Sequence, residues 1–161
     1  MIDDFDIEIP EGFERLPEGL GFTDNLQPCY IHRSDEGVVV GMPVQKRHGN
    51  TMGICHGGVL MTLSDISAAT NLNHARGVFQ GAPTVNLSVD FINAAKVGEW
   101  VYSEPHSITI KRRFGFSSGL ILGEKGVVAR YSGTFYLPEH EGMYKEHATR
   151  RTALDALRGS D

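Results

Sequence analysis

Cysteine is scarce in this chain: Cys29 and Cys55 are the only two among 161 residues, and they lie far apart. Such a pair makes no disulfide framework and suits reduced thiols in a reducing compartment. His32, His48, His74, His106, His140 and His147 show no ligand spacing. Scattered histidines of this kind read as polar surface residues, and neither a metal nor another cofactor is expected. Positive charge is also short, 15 Lys and Arg against 20 Asp and Glu for a net charge of −5. With both signs interspersed, nothing forms the basic stripe that a nucleic-acid backbone demands. No apolar run approaches the length of a membrane span, and residues 1–11 are acidic, without the positive flank and apolar core of a signal peptide. A cytoplasmic protein with no membrane partner is therefore expected.

What is present fits one domain, since 161 residues at 40% hydrophobic content can build a single core. Residues 1–20 mix Pro10, Gly12, Pro17 and Gly19 with acidic residues and read as a loosely ordered lead-in with at most a short helical turn. Cys29–His32 and Val38–Val44 are β-rich runs around the turn-forming Ser34-Asp35-Glu36-Gly37, hence a hairpin. From Gly57 to about Ala75 proline is absent and helix formers predominate, with Gly77 as a stop signal. Val59, Leu60, Met61, Leu63, Ile66, Ala68, Ala69 and Leu72 surround this helix on nearly every side, which predicts that its neighbours wrap it. After Pro83 the period switches to two: Val85, Leu87, Val89 and Phe91 alternate with Asn86, Ser88 and Asp90, as in a strand with one buried face. Further strands are predicted over 99–112, 116–122 and 127–137, with Gly123-Glu124-Lys125-Gly126 as a tight reversal. The class is α+β, a curved antiparallel sheet around one long helix. Residues 138–161 read as a polar tail with a short helix near Ala153–Leu157.

The chemistry concentrates in Asn50-Thr51-Met52-Gly53-Ile54-Cys55-His56-Gly57-Gly58 and in Asp65. A loop that ends in two glycines at a helix N-terminus offers unpaired N–H groups at the positive end of the macrodipole. These could hold a phosphate or the oxygen of an attacked thioester carbonyl. A nucleotide-hydrolase phosphate loop is disfavoured, because no Gly-Lys-Ser/Thr is present. Asp65 in an apolar helix should have a raised pKa, which suits a base, or else it caps or salt-bridges a neighbour; the residues alone leave both open. Nine residues separate His56 from Asp65, roughly 13 Å of rise on a helix. If both act on one bond, the aspartate must come from a second, antiparallel helix, as a two-fold dimer supplies. Cys55 next to His56 is a poor nucleophile, since chain neighbours seldom present their side chains to each other.

Asn50-x-x-Gly53-x-x-His56-Gly57-Gly58 with Asp65 downstream, the strand Thr84–Ala95, the step Lys96-Val97-Gly98-Glu99 and the run Val128–Phe135 resemble hotdog-fold thioesterases of the phenylacetate-pathway type. The similarity runs from about Gly21 to Leu137, so 21–137 is expected to be a hotdog domain and the two ends receive no support from it. The resemblance implies hydrolysis of acyl-coenzyme A. In that scheme the Gly57 N–H is the oxyanion donor, His56 and Asn50 orient the thioester, and Asp65 of a partner chain activates water or attacks directly, the shorter aspartate favouring water. Gly58 and Thr84 would lie beside the substrate. It also implies a homodimer, often paired into a dimer of dimers, with Lys96, Arg112 and Arg113 as candidates for the coenzyme A phosphates. Three basic residues at a strand end also suit a solvated edge, and that alternative stays open. Two other functions share the fold: a hydratase or dehydratase of enoyl-CoA type, and a protein that binds acyl-CoA without turnover. The buried carboxylate speaks against the latter.

Overall fold

The structure, a computed structural model, describes residues 7–78 and 80–139. The lead-in carries a two-residue strand, β1 (Glu14–Arg15), and Leu16 behind it is buried. The helical turn expected before residue 20 lies just beyond it, a 3-10 turn over Gly21–Leu26. β2 (Tyr30–Ser34) and β3 (Gly37–Pro43) form the predicted hairpin. Helix α1 runs over Gly57–Arg76, 20 residues, or about 30 Å. Gly77 ends it in the left-handed region (φ 63°), its N–H reaching the Asn73 and His74 carbonyls, as a glycine past the helix end does without strain. Then follow β4 (Thr84–Phe91), β5 (Trp100–Lys111), β6 (Phe114–Gly123) and β7 (Gly126–Tyr136). All pairings are antiparallel, in the order β1-β2-β3-β5-β6-β7-β4.

One face of this sheet wraps α1, which is the hotdog arrangement expected from the resemblance. Leu63, Ala68 and Leu72 of the helix are fully buried against Val40, Met42, Val101, Ile121, Ala129 and Phe135. Wrapping requires the sheet to open. β3 pairs with β5 only from Gly41 to Pro43, so the N–H groups of Val38 and Val40 need other acceptors. Asn71 Oδ1 takes the Val38 N–H at 3.0 Å and Ser103 Oγ takes the Val40 N–H at 2.9 Å. Asn71 Nδ2 donates in turn to the carbonyls of Val38 (2.8 Å) and Ser67 (2.9 Å).

Two expectations change. The helix is apolar all round but covered on one side only: Met61 is 39% exposed, while Val59, Ile66 and Ala69 are partly buried. β4 is an edge strand whose inward side meets little beyond the helix, so Val85 is 59% and Phe91 53% exposed where alternation predicted a buried face. The expected helix near Ala153–Leu157 lies outside the described residues. Among the described residues no helix is long and apolar enough to cross a membrane.

Asn71→Leu removes the acceptor and donor that complete β3 and leaves two buried backbone groups unpaired. The expected loss is about 2–6 kcal/mol, from roughly 1–3 kcal/mol for each of the two orphaned groups. It would show as a lower denaturant midpoint at unchanged slope, and a midpoint within error of wild type would deny Asn71 this role.

Candidate active site

The turn that delivers α1 is held from several directions. Asn50 N donates to the Ile54 carbonyl (2.8 Å), Gly53 N to the Asn50 carbonyl (3.0 Å), and Gly49 bridges Cys55. Gly53 has φ 73°, which an L side chain resists. The segment after β4 grips the other side: Cys55 N donates to the Ala95 carbonyl (2.8 Å) and Val97 N to the Gly53 carbonyl (3.1 Å). Asn50 Oδ1 accepts from the N–H groups of Met52 (2.9 Å) and Ile54 (3.4 Å). Its oxygen therefore builds the loop.

His48 belongs to this support and was missed in the sequence. It is 1% exposed, against the surface position expected of it. Its Nδ1 accepts from Gln45 N–H (3.1 Å), so Nε2 carries the proton toward the Asn25 carbonyl (3.3 Å). Burial, with the Arg47 charge second, pushes its pKa down, which keeps the ring neutral. Its carbonyl accepts the His56 N–H at 2.8 Å. The signal was weak because a buried histidine with two backbone partners leaves no spacing pattern.

His56 is the N-cap of α1, and its Nδ1 accepts the Gly58 N–H at 2.9 Å. The proton thus sits on Nε2, facing away from the helix. Gly57 is the first helical residue, and among the described residues nothing accepts its N–H. The turn therefore offers the Gly57 N–H and the His56 Nε2–H as donors at the positive helix end. Cys55 takes no part: burial pushes its thiol up to about 12, which suppresses the thiolate.

Asp65 lies two turns further, at the margin of the buried face. Its Oδ1 accepts the Thr84 hydroxyl at 2.6 Å. Burial raises the carboxyl pKa and the Thr84 bond opposes that rise. Simple alternation would turn Thr84 away from the helix, opposite to Val85. A register shift between Thr84 and Asn86 reverses this, leaving Thr84 opposite the buried Phe135. Eight residues of helix, about 12 Å, separate Gly57 from Asp65. The donors thus sit near the Phe91 end of β4 and the carboxylate at the Thr84 end. One chain holds the turn's donors and the carboxylate apart.

The sequence profile of the thioesterase superfamily matches residues 52–130. A Pseudomonas aeruginosa protein, named only provisionally as an esterase, is 31% identical over 133 residues, covering 82% of this chain and 99% of that one. The chain belongs to the thioesterase superfamily. A second relative of this thioesterase-superfamily chain, acyl-coenzyme A thioesterase 13 of Mus musculus, is 27% identical over 66% of this chain and 70% of its own length. The phenylacetic acid degradation protein PaaI of Thermus thermophilus, solved as a single-substitution mutant, shares the fold. It has a TM-score of 0.63 and 24% identity over 73% of this chain and 98% of that one.

The basic candidates of this thioesterase-superfamily chain divide between the two ends of α1. Lys96 is exposed and its backbone bridges Ile54, beside the His56 turn. Arg112 and Arg113 form the β5–β6 turn, with Arg112 at φ 56°. The adjoining Gly115 lies against Leu72, toward the helix C-terminus. Arg113 is paired to Glu139 (Nη2 to Oε2, 2.9 Å). With Lys111, Phe114 and Phe116 the two arginines line an open groove of about 740 Å³. Within one chain, then, Lys96 joins the His56 turn and the arginines do not. Among the described residues no three His, Cys, Asp or Glu side chains gather as a metal site.

Burial favours the protonated Asp65 in the folded chain, so its ionisation lowers stability as pH rises from 3.8 through the raised folded value. Asp65→Asn is therefore expected to melt above wild type at neutral pH, with the gain vanishing below pH 3.8. A pH-independent difference would contradict this. Thr84→Val removes the bond that opposes the rise, so a carboxyl NMR titration should place the Asp65 pKa higher still.

Proposed function

We propose that this chain is an acyl-CoA thioesterase that hydrolyses a coenzyme A thioester to the free acid and the thiol. The observation that carries this reading is the unbonded Gly57 N–H at the start of α1, beside His56, with a desolvated carboxylate on the same helix. The thioester oxygen accepts from Gly57 N–H and from His56 Nε2–H, which strengthen as negative charge develops on it. Asn50 acts by shaping the loop, and Gly58 by fixing the His56 ring. With Oδ1 of Asp65 holding Thr84, the other carboxylate oxygen takes a proton from water, whose oxygen attacks the carbonyl carbon. The tetrahedral intermediate then expels the coenzyme A thiolate, which takes up the proton held by Asp65 and leaves as the thiol. The mouse relative, named for this activity, supports the substrate class.

Each site is shared by two chains. β4 is an edge strand, and Val85, Phe91, Ile92 and Met61 beside it are exposed apolar residues. Pairing two β4 strands antiparallel about a two-fold axis lays the Gly57 end of one chain against the Asp65 end of the other. The same operation carries Arg112 and Arg113 of one chain toward the oxyanion turn and Lys96 of its partner, where coenzyme A phosphates would lie. Two such dimers pairing back into a tetramer is compatible with this arrangement.

Asp65→Asn should lower turnover at least about a hundredfold with little change in thioester binding, in a thiol-trapping assay. Near-normal turnover would sink the assignment. Sharing is tested by mixing an Asp65→Ala chain with an Asn50→Ala chain, each inactive alone. Random exchange makes half the dimers mixed, with one intact site each, so about a quarter of wild-type activity should return. Verified exchange without recovery would place both residues in one site of one chain. Arg112→Ala should raise KM for acyl-CoA and leave KM for a thioester lacking the nucleotide unchanged; equal effects on both would give Arg112 a role in the fold instead.

A further inference from the structure

Phe91 closes β4 with its ring against the oxyanion turn. A Cβ placed on Gly57 would meet Cζ of that ring at 3.2 Å, Cε1 at 3.5 Å and Cε2 at 3.6 Å. The tip of the ring therefore abuts the first residue of α1. Its backbone is fixed: Phe91 pairs with Ala129, the N–H groups of Ile92 and Asn93 both donate to the Val128 carbonyl (2.8 and 3.1 Å), and Asn93 Nδ2 donates to the Val127 carbonyl (2.8 Å). Yet the residue is 53% exposed, so it does not serve as a filled core position. Met61, one turn along the helix, is also partly exposed but is a flexible side chain. Phe91 is the rigid wall of the two.

Covalent geometry puts the ring tip within about 6 Å of the Gly57 nitrogen. A carbonyl oxygen bonded to that N–H at about 2.9 Å puts its carbon, and the first atoms of the acyl group, in the same shell. We infer that Phe91 is a specificity-determining residue: its ring tip limits the width of the acyl group next to the thioester carbonyl, admitting unbranched chains and rejecting branching at the adjoining carbon. The inference rests on the reading of Gly57 N–H as the oxyanion donor. The backbone on both sides of a rejected methyl group is fixed, at Phe91 by its pairing with Ala129 and at the turn by the His48 and Ala95 carbonyls.

The test compares kcat/KM for butyryl-CoA and isobutyryl-CoA in wild type, Phe91→Leu and Phe91→Ala. Wild type should prefer the straight chain, and Phe91→Ala should reduce that preference at least about tenfold, the scale on which one methyl group is discriminated in a pocket. Phe91→Leu should fall between. An unchanged ratio overturns the selectivity. A second measurement needs no turnover: Gly57→Ala keeps the N–H but adds the Cβ that meets the ring. It should lower the melting temperature in wild type and not in Phe91→Ala, and equal effects in both would overturn the contact itself. If wild type hydrolyses no coenzyme A thioester, the thioesterase reading fails and the selectivity with it. The thermal comparison then still decides whether the ring lies on the turn.

Discussion

The two hydrogen bonds from Asn71 to the Val38 backbone fix the rotation of the helix, and most of the site follows from that. Asn71 must face the place where the sheet opens, because the backbone of Val38, paired with β2 on one side, has no strand partner on its β5 side. Six residues earlier on a helix is about 120° away around the axis. Asp65 is thereby turned to the flank facing β4, half out of the core, and Met61 with it. A helix held only by its apolar side chains could roll, since aliphatic residues occur around nearly its whole circumference. A polar clamp with both donor and acceptor in use cannot roll without leaving the Val38 groups unpaired.

The electrostatics of the turn obey the same economy. Of the N–H groups at the start of α1, Gly58 is satisfied inside the chain by His56, and among the described residues nothing accepts from Gly57. The same bond settles which nitrogen of His56 carries its proton, so a capping contact also sets the histidine up as a donor. At the other end of the helix, His74 and Arg76 oppose the negative pole. The carboxylate stands between these ends, raised by burial and steadied by Thr84, and is kept away from the positive pole of its own helix.

Much of this was legible in the residues. The absence of proline over a helix-forming stretch, with Gly77 after it, marked α1 within a residue of its end. Turn chemistry placed the hairpin and the reversal before β7, because those signals are local. The glycine pair after His56 marked a donor-rich turn for the same reason. What stayed hidden depends on distant parts of the chain. Alternation in β4 shows that the strand has two faces but not that it lies at the sheet edge, so the exposure of Val85 and Phe91 could not be read. The irregularity that turns Thr84 inward sits within a two-residue step and breaks the very periodicity used to assign faces. His48 has nothing around it in sequence that distinguishes a buried ring from a solvated one.

The sheet order has a consequence for how the molecule comes into being. β4 follows α1 directly in the chain, and Thr84 is only 19 residues from Asp65. Yet among the described residues the sole strand beside β4 is β7, which ends at Tyr136. The contact that looks local is therefore enforced by the last strand of the sheet in chain order, and such long loops are slow to close. During synthesis the helix and its turn exist well before the strand that orders Thr84 can dock. The carboxylate acquires its surroundings only when the final strand of the sheet has been made.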